Sequence, residues 1–288
     1  QVRSMCWGYS AGQLLLDPIK IYCTVDVQKR RLVYVIRAWY PGMGSMLLEH
    51  GDLWGDTDQD GVWDQLSELI DTEYGDHSIS QTGIDIGYRD DQVYKFINDH
   101  KNKAIALRGR PRLDKPYRKE TVEVDRKGKT RKRGDARWAF DSPFAKRWVH
   151  SRFARPDTRP GWWLLHQQVT EDYCKQIVGE EWRESEGAFH QVGENHYLDC
   201  EAMQYIMALR DKLQRRNTGA LTRAELSTAI HAGPTAEEGA ESSAPVVPVP
   251  LPPPDPAVKP TAPARQRRAD AVPAKGRSRF NIIKKPTR

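Results

Sequence analysis

The sequence predicts a mixed α/β fold, a mixed sheet with helices packed on both faces, followed by a disordered proline-rich basic tail. Two observations carry this. Within residues 1–216 the apolar periodicity switches between 2 and 3.6 in an order that interleaves strands with helices. After residue 216 the composition changes: all nine tryptophans lie before residue 183, Phe280 is the only aromatic after Tyr205, and 12 of the 19 prolines fall in the last 55 residues. The chain of 288 residues is 38% hydrophobic, enough for a substantial core. It has no apolar run near the roughly 18–20 residues of a membrane span, so no membrane association is expected. It opens on Gln1 without a signal peptide, which suggests a piece of a longer polypeptide, with residues 1–18 a linker remnant from an upstream domain. Four dispersed cysteines with no C-x-x-C pair read as ordinary buried thiols in a reducing compartment.

Taken in order, IKIYCTVDV (19–27) alternates strictly, with Ile19, Ile21, Cys23, Val25 and Val27 on one face. RRLVYVIRAWY (30–40) is apolar on both faces and returns through a tight turn at Gln28-Lys29 as a buried strand. SMLLEHG (45–51) reads as a third strand. WDQLSELIDTEY (63–74) spaces Trp63, Leu66, Leu69 and Ile70 as a helix, SISQTGIDIG (78–87) follows as a strand, and DDQVYKFINDH (90–100) is a second helix. KAIALRG (103–109) is a fifth strand. The basic stretch 110–137 is read as a mobile insertion, GWWLLH (161–166) as a buried strand, and Thr170 as the cap of a short helix. A final helix runs from about Glu194 to Arg216. The order β-β-β-α-β-α-β with a closing helix is that of an RNase H-like fold, placed at 19–216, with 217–288 as the tail.

Three aspartates stand where aspartate is disfavoured. Asp26 lies near the end of a β-branched strand and Asp85 between Ile84 and Ile86. Asp199 falls mid-stripe on the closing helix, with Ala202, Met203, Ile206 and Leu213 within about 60° of it. The fold brings these elements to one sheet edge. Two carboxylates about 4 Å apart repel by about 4 kcal/mol at an effective dielectric near 20, so a cluster of three calls for a hard cation such as Mg²⁺ or Mn²⁺. Two such ions suit phosphodiester hydrolysis.

The residues resemble a known family, the nuclease domain of lambda-type phage terminase large subunits. TVDVQ (24–28), GIDIGYRDDQVY (83–94) and NHYLDCEAMQYIMAL (195–209) are similar to its ordered motifs and span about residues 20–213. The resemblance implies catalytic metal binding by Asp26, Asp85 and Asp199, and cutting of concatemeric double-stranded DNA in the host cytoplasm during packaging. It also implies partnership with a small terminase subunit and with the portal of the procapsid. His196 stands where several relatives have Glu. It could bind a metal or protonate a leaving group, or it is a packing or orienting histidine. Two rival readings are a non-catalytic RNase H-like DNA-binding or assembly module and a resolvase-type nuclease.

Charge is uneven: residues 41–100 hold 2 Lys/Arg against 14 Asp/Glu, and residues 101–159 hold 20 against 7. The basic segment supplies the DNA-contact candidates Arg108, Arg110, Arg112, Arg126, Lys127, Lys129, Arg131, Lys132 and Arg133. DTDQDG (56–61) begins like a calcium loop but has Ser67 at the twelfth position, so it reads as an acidic loop with Asp60 capping the Trp63 helix. GKT (128–130) lacks the earlier P-loop glycine. The tail ends in RQRR (265–268) and KGRSRFNIIKKPTR (275–288), either a solvated charge run or a tethered docking peptide with Phe280, Ile282 and Ile283 as anchors.

Overall fold

A β-hairpin starts the sheet. In a computed structural model that describes residues 1–124, 130–153 and 159–231, β1 (Lys20–Val27) and β2 (Arg31–Trp39) pair antiparallel from Lys20↔Trp39 to Val27↔Leu32. β3 (Ser45–Trp54) then pairs antiparallel with β2, with a register shift at Ile36/Arg37. The alternation in β1 divides its side chains between two cores. Ile21, Cys23, Val25 and Val27 join one cluster and Tyr22 the other. Ile19 falls just before the strand and packs with the second cluster instead.

The first core is closed by α1 (Gly61–Ile70), which buries Val62, Trp63, Leu66 and Ile70. The helix was expected to run to Tyr74 but stops at Ile70, because Tyr74 turns into the core and donates its hydroxyl to Glu49. Two short strands, β4 (Glu73–Tyr74) and β5 (His77–Ser78), reverse the chain through Gly75, whose φ of 58° suits glycine. β6 (Gln81–Asp85), α2 (Asp90–Asp99) and β7 (Ala104–Arg110) follow, with β6 parallel to both β1 and β7. Asp60 holds the first-turn position before α1, but its carboxylate accepts from Lys95 Nζ at 2.6 Å and makes no side-chain cap.

The stretch expected as a mobile insertion is a hairpin of the main sheet. β8 (Tyr117–Val124) and β9 (Thr130–Asp141) pair antiparallel, and β9 lies parallel to β7. Its stabilisation is ionic: Glu120 accepts from Arg118 at 3.0 Å and from Arg137 at 2.9 Å, interactions that apolar periodicity does not reveal. α3 (Ser142–His150) follows directly, capped by Asp141 Oδ1 on Phe144 N at 2.8 Å. β10 (Trp163–Leu164) adds an edge beside β3, and Trp162 and Trp163 are buried core residues as expected. Thr170 caps α4 (Glu171–Ile177), and β11 (Glu180–Arg183) pairs with β12 (Ala188–Gln191). α5 (His196–Arg210) ends at Arg210, and after Lys212, whose φ is 60°, a short 3-10 turn replaces the rest of the expected helix.

The eight-stranded sheet runs β10-β3-β2-β1-β6-β7-β9-β8. Helices α1 and α2 cover one face and α3, α4 and α5 the other, the two-sided mixed arrangement of an RNase H-like fold. The segment 1–18 contributes buried Val2, Met5 and Tyr9. Beyond residue 216, Leu221 O accepts from Trp162 Nε1 at 3.1 Å, and α6 (Arg223–His231) buries Leu226 in the first core. The tail and its Phe280, Ile282 and Ile283 lie outside the described residues. All four cysteines are free; Cys23 and Cys200 are buried, whereas Cys6 and Cys174 are only half-buried.

Candidate active site

Asp26 lies one residue before the end of β1, buried on the face that α5 covers. Its Oδ2 accepts from Gln28 Nε2 at 2.9 Å and pairs with His196 Nδ1 at 2.7 Å. Asp85 is the last residue of β6, and its Oδ2 accepts from Gly87 N at 2.7 Å. That approach requires glycine, since a Cβ at position 87 would stand 2.5 Å from the same oxygen. Asp199 projects from the first turn of α5. These three carboxylates, with Gly87, Arg108, Gly109, Phe140, Ser142 and Met203, line one cleft of about 210 Å³.

The cleft is electrostatically strained. Burial pushes Asp85 up to about 7, helped by the negative charges of Asp26 and Asp199 and opposed by the Gly87 hydrogen bond and Arg108. Asp199 rises to about 6 through burial, with Asp26 adding to the rise and Lys146 opposing it. The hydrogen bond to Asp26 raises His196 above the ordinary histidine value. Nδ1 is the ring nitrogen of His196 that faces Asp26, so Nε2 is left for other work.

Asp199 reaches the cleft because α5 is held on the sheet by polar contacts as well as apolar ones. Glu201 accepts from Arg37 Nε at 2.8 Å, Trp163 Nε1 at 3.0 Å and Tyr173 Oη at 2.6 Å, all buried. Gln204 accepts from Trp39 Nε1 and donates to Tyr22 O and Val35 O. Such satisfied networks fix a helix in rotation and height better than apolar packing alone.

Residues 11–218 match the family described as the terminase large subunit gpA, endonuclease domain. The chain belongs to this family. No curated protein and no solved structure gives a match. Membership assigns this endonuclease domain a nuclease role in genome packaging, and nuclease domains of this kind generally use divalent metals. The matched span contains every element that lines the cleft.

Sequence reasoning missed groups that hold the cleft from behind. Lys146 Nζ, from α3, lies 2.7 Å from Asp199 Oδ1 and 2.8 Å from Glu180 Oε1. Asn195 Nδ2 bridges Glu180 and Asp199 Oδ2 from the other side. Burial works against the Lys146 ammonium, but the two carboxylates outweigh it and hold its pKa above that of ordinary lysine. The signal available was local: Asp141-Ser142-Pro143 is a helix start, and Ala145 and Val149 stand at i and i+4 beside Lys146.

Of the basic candidates, Arg108 lines the cleft and donates to Ile86 O at 2.9 Å, Arg110 pairs with Glu120, and Arg112 is exposed. Arg126, Lys127 and Lys129 lie outside the described residues. Arg131, Lys132 and Arg133 belong to β9, but their side chains are not described. In the acidic loop 56–61, Asp58 is tied to Arg89 and Asp60 to Lys95, as in an ordinary solvated loop.

Among the described residues no group of three or more His, Cys, Asp or Glu side chains is set to hold an ion. The donor chemistry still suits a hard cation of the magnesium kind, which takes one or two carboxylates together with water and substrate phosphate. Asp26 and Asp85 each keep one carboxylate oxygen without a hydrogen-bond partner among the described residues. Burial first, and then the charges of Asp26 and Asp199, raise Asp85, the condition that a bound cation would relieve.

Proposed function

We propose that this chain is a Mg²⁺- or Mn²⁺-dependent endonuclease that cuts concatemeric double-stranded phage DNA during packaging, using two ions held by Asp26, Asp85 and Asp199. The observation that carries the reading is the meeting of three carboxylates from two strands and one helix in one cleft, with Asp85 raised to about 7. When bound, the ions would activate the attacking water and stabilise the leaving oxygen.

The chain's own groups divide the remaining work. Lys146 and Asn195 grip Asp199 from behind and fix the direction of its carboxylate. Gln28 and His196 occupy Oδ2 of Asp26, so Oδ1 would be the oxygen available to hold an ion. His196, oriented by Asp26, offers Nε2 either as an additional ligand or as the group that protonates the departing oxygen. Arg108 at the cleft rim supplies positive charge for the scissile phosphate.

Family membership supports action in the host cytoplasm on DNA in packaging; our reading adds a small terminase subunit and the portal as partners, with residues 265–288, outside the matched span, meeting the portal. Among the described residues no helix is long and apolar enough to cross a membrane. The deciding experiment is plasmid nicking with Mn²⁺. Cleavage by the wild type that Asp85→Ala abolishes supports the enzyme, and equal results for both leave a non-catalytic DNA-binding module. Preference for branched over linear duplex would mark a resolvase instead. Portal binding undiminished by truncation after His231 would reject the role of the tail.

A further inference from the structure

We propose that the turn joining β1 to β2, with the exposed ring of Trp54 beside it, is a second DNA contact. It would grip phosphates through Lys29 and Arg30 and stack an unpaired base on Trp54, on the opposite flank of the carboxylates from Arg108 and Arg110. The inference rests on the nuclease reading of the cleft and adds a strand-binding subsite to it.

The sheet order sets the placement. β1 carries Asp26 and lies between β2 and β3 on one side and β6 and β7 on the other. Strands stand about 4.8 Å apart, so Trp54 on β3 and Arg108 on β7 each lie about 10 Å across the sheet from β1. β1, β3, β6 and β7 are mutually parallel, so their carboxyl ends, which carry Asp26, Trp54, Asp85 and Arg110, share one edge.

The face is also common. Asp26 pairs with Val33, and Val33 with Asp52; one step of two residues further, Arg31 pairs with Trp54. Val33 packs in the core beneath α5, so Arg31 and Trp54 point to the side from which α5 presents Asp199. Trp54 is 62% exposed, whereas every other tryptophan is buried or half-buried, and the Arg31 guanidinium sits 5.3 Å above its ring. A tryptophan held flat under an arginine and open to solvent offers the stacking surface that single strands use without regard to sequence.

Charge and rigidity agree with this use. Arg31 is neutralised by Asp52 and Glu194, but Lys29 and Arg30 are exposed and have no ion-pair partner among the described residues. Their backbone is pinned. Thr57 donates to Gln28 O at 2.8 Å and to Lys29 O at 3.1 Å, and Gly55 N donates to Arg30 O at 3.0 Å. Gln28, the first residue of the turn, reaches Asp26 directly, so a strand held by this turn is registered against the carboxylates.

The test is fluorescence anisotropy of a labelled single-stranded 20-mer in chelator, where nothing is cut, across a salt series. Trp54→Ala should weaken binding about 10-fold, and Trp54→Phe should retain affinity within about 3-fold. The double variant Lys29→Ala/Arg30→Ala should reduce the log–log salt slope by about 1.4, at about 0.7 per phosphate contact on single strands. Binding by the wild type should quench the solvent-exposed tryptophan emission that Trp54→Phe lacks. Wild-type affinity and slope in both Trp54→Ala and the double variant would overturn the proposal, as would absence of strand binding by the wild type. Failure of the nuclease reading is a separate result, seen as no nicking by the wild type or equal nicking by Asp85→Ala.

Discussion

Lys146 and Asp199 form an ion pair at 2.7 Å that joins α3 to α5 behind the acidic cleft, with the lysine side chain only 8% exposed. The ammonium also holds Glu180, so Lys146→Met leaves two carboxylates short of their countercharge. Removing one partner of a buried pair costs about 3–5 kcal/mol, whereas removing both charges together costs much less. Urea unfolding should therefore show a loss of about 3 kcal/mol for Lys146→Met, partly restored in Lys146→Met/Glu180→Gln. Simple additivity of the two single changes would show that the pair is not coupled.

Asp85 presents the opposite balance. It is buried beside two other carboxylates, and its backbone hydrogen bond and Arg108 do not cancel that repulsion. Asp85→Asn retains the shape and removes a charge that the metal-free fold holds unfavourably. We expect this variant to melt a few degrees higher than the wild type in chelator while its Mn²⁺-dependent nicking falls by at least about 10²-fold, the trade expected where a site stores repulsion for function. A lower melting temperature than the wild type would show that the Asp85 carboxylate is a structural group.

The contrast between these residues explains what the sequence made legible. Asp26, Asp85 and Asp199 stand out because each interrupts an apolar pattern, and the strands and helix that carry them are strongly periodic. Lys146 does not stand out. Its partners are 34 and 53 positions away in sequence, and a lysine in a basic segment reads as solvated surface. The β8–β9 hairpin was hidden for a related reason: its Arg110, Arg118 and Arg137 converge on Glu120, and an ion cluster leaves no period of two in hydrophobicity. Trp54 was visible as a residue, but only the cross-strand register shows that it shares a face with Asp26.

Gly87 tests the geometry without touching a charge. A methyl group there would meet Asp85 Oδ2 at 2.5 Å, so Gly87→Ala must displace the carboxylate or lose the hydrogen bond from the residue 87 backbone. A 1 Å misplacement of a reacting group can cost about 10²-fold in rate. Nicking should fall by about that factor, with unfolding free energy changed by no more than about 1 kcal/mol. Undiminished nicking would show that the Asp85 position tolerates movement.

His166 provides a pH test remote from the cleft. It is 2% exposed, neither ring nitrogen has a hydrogen-bond partner among the described residues, and its ring stacks on His50 at 5.7 Å. Burial lowers its pKa to about 4, with the Arg37 charge contributing, while the unfolded chain protonates it near 6.5. Between these values the unfolded state binds more protons, so stability falls as pH drops from about 6.5 to about 4 and levels off below. The shift corresponds to about 3 kcal/mol for His166 alone. His166→Phe keeps an aromatic ring on His50 and removes the titration without breaking a hydrogen bond. Chemical unfolding at pH 7, 5.5 and 4.5 should show the wild type losing about 2–3 kcal/mol more than His166→Phe over that range. Parallel losses in the two proteins would mean that protonation of His166 does not drive the acid sensitivity.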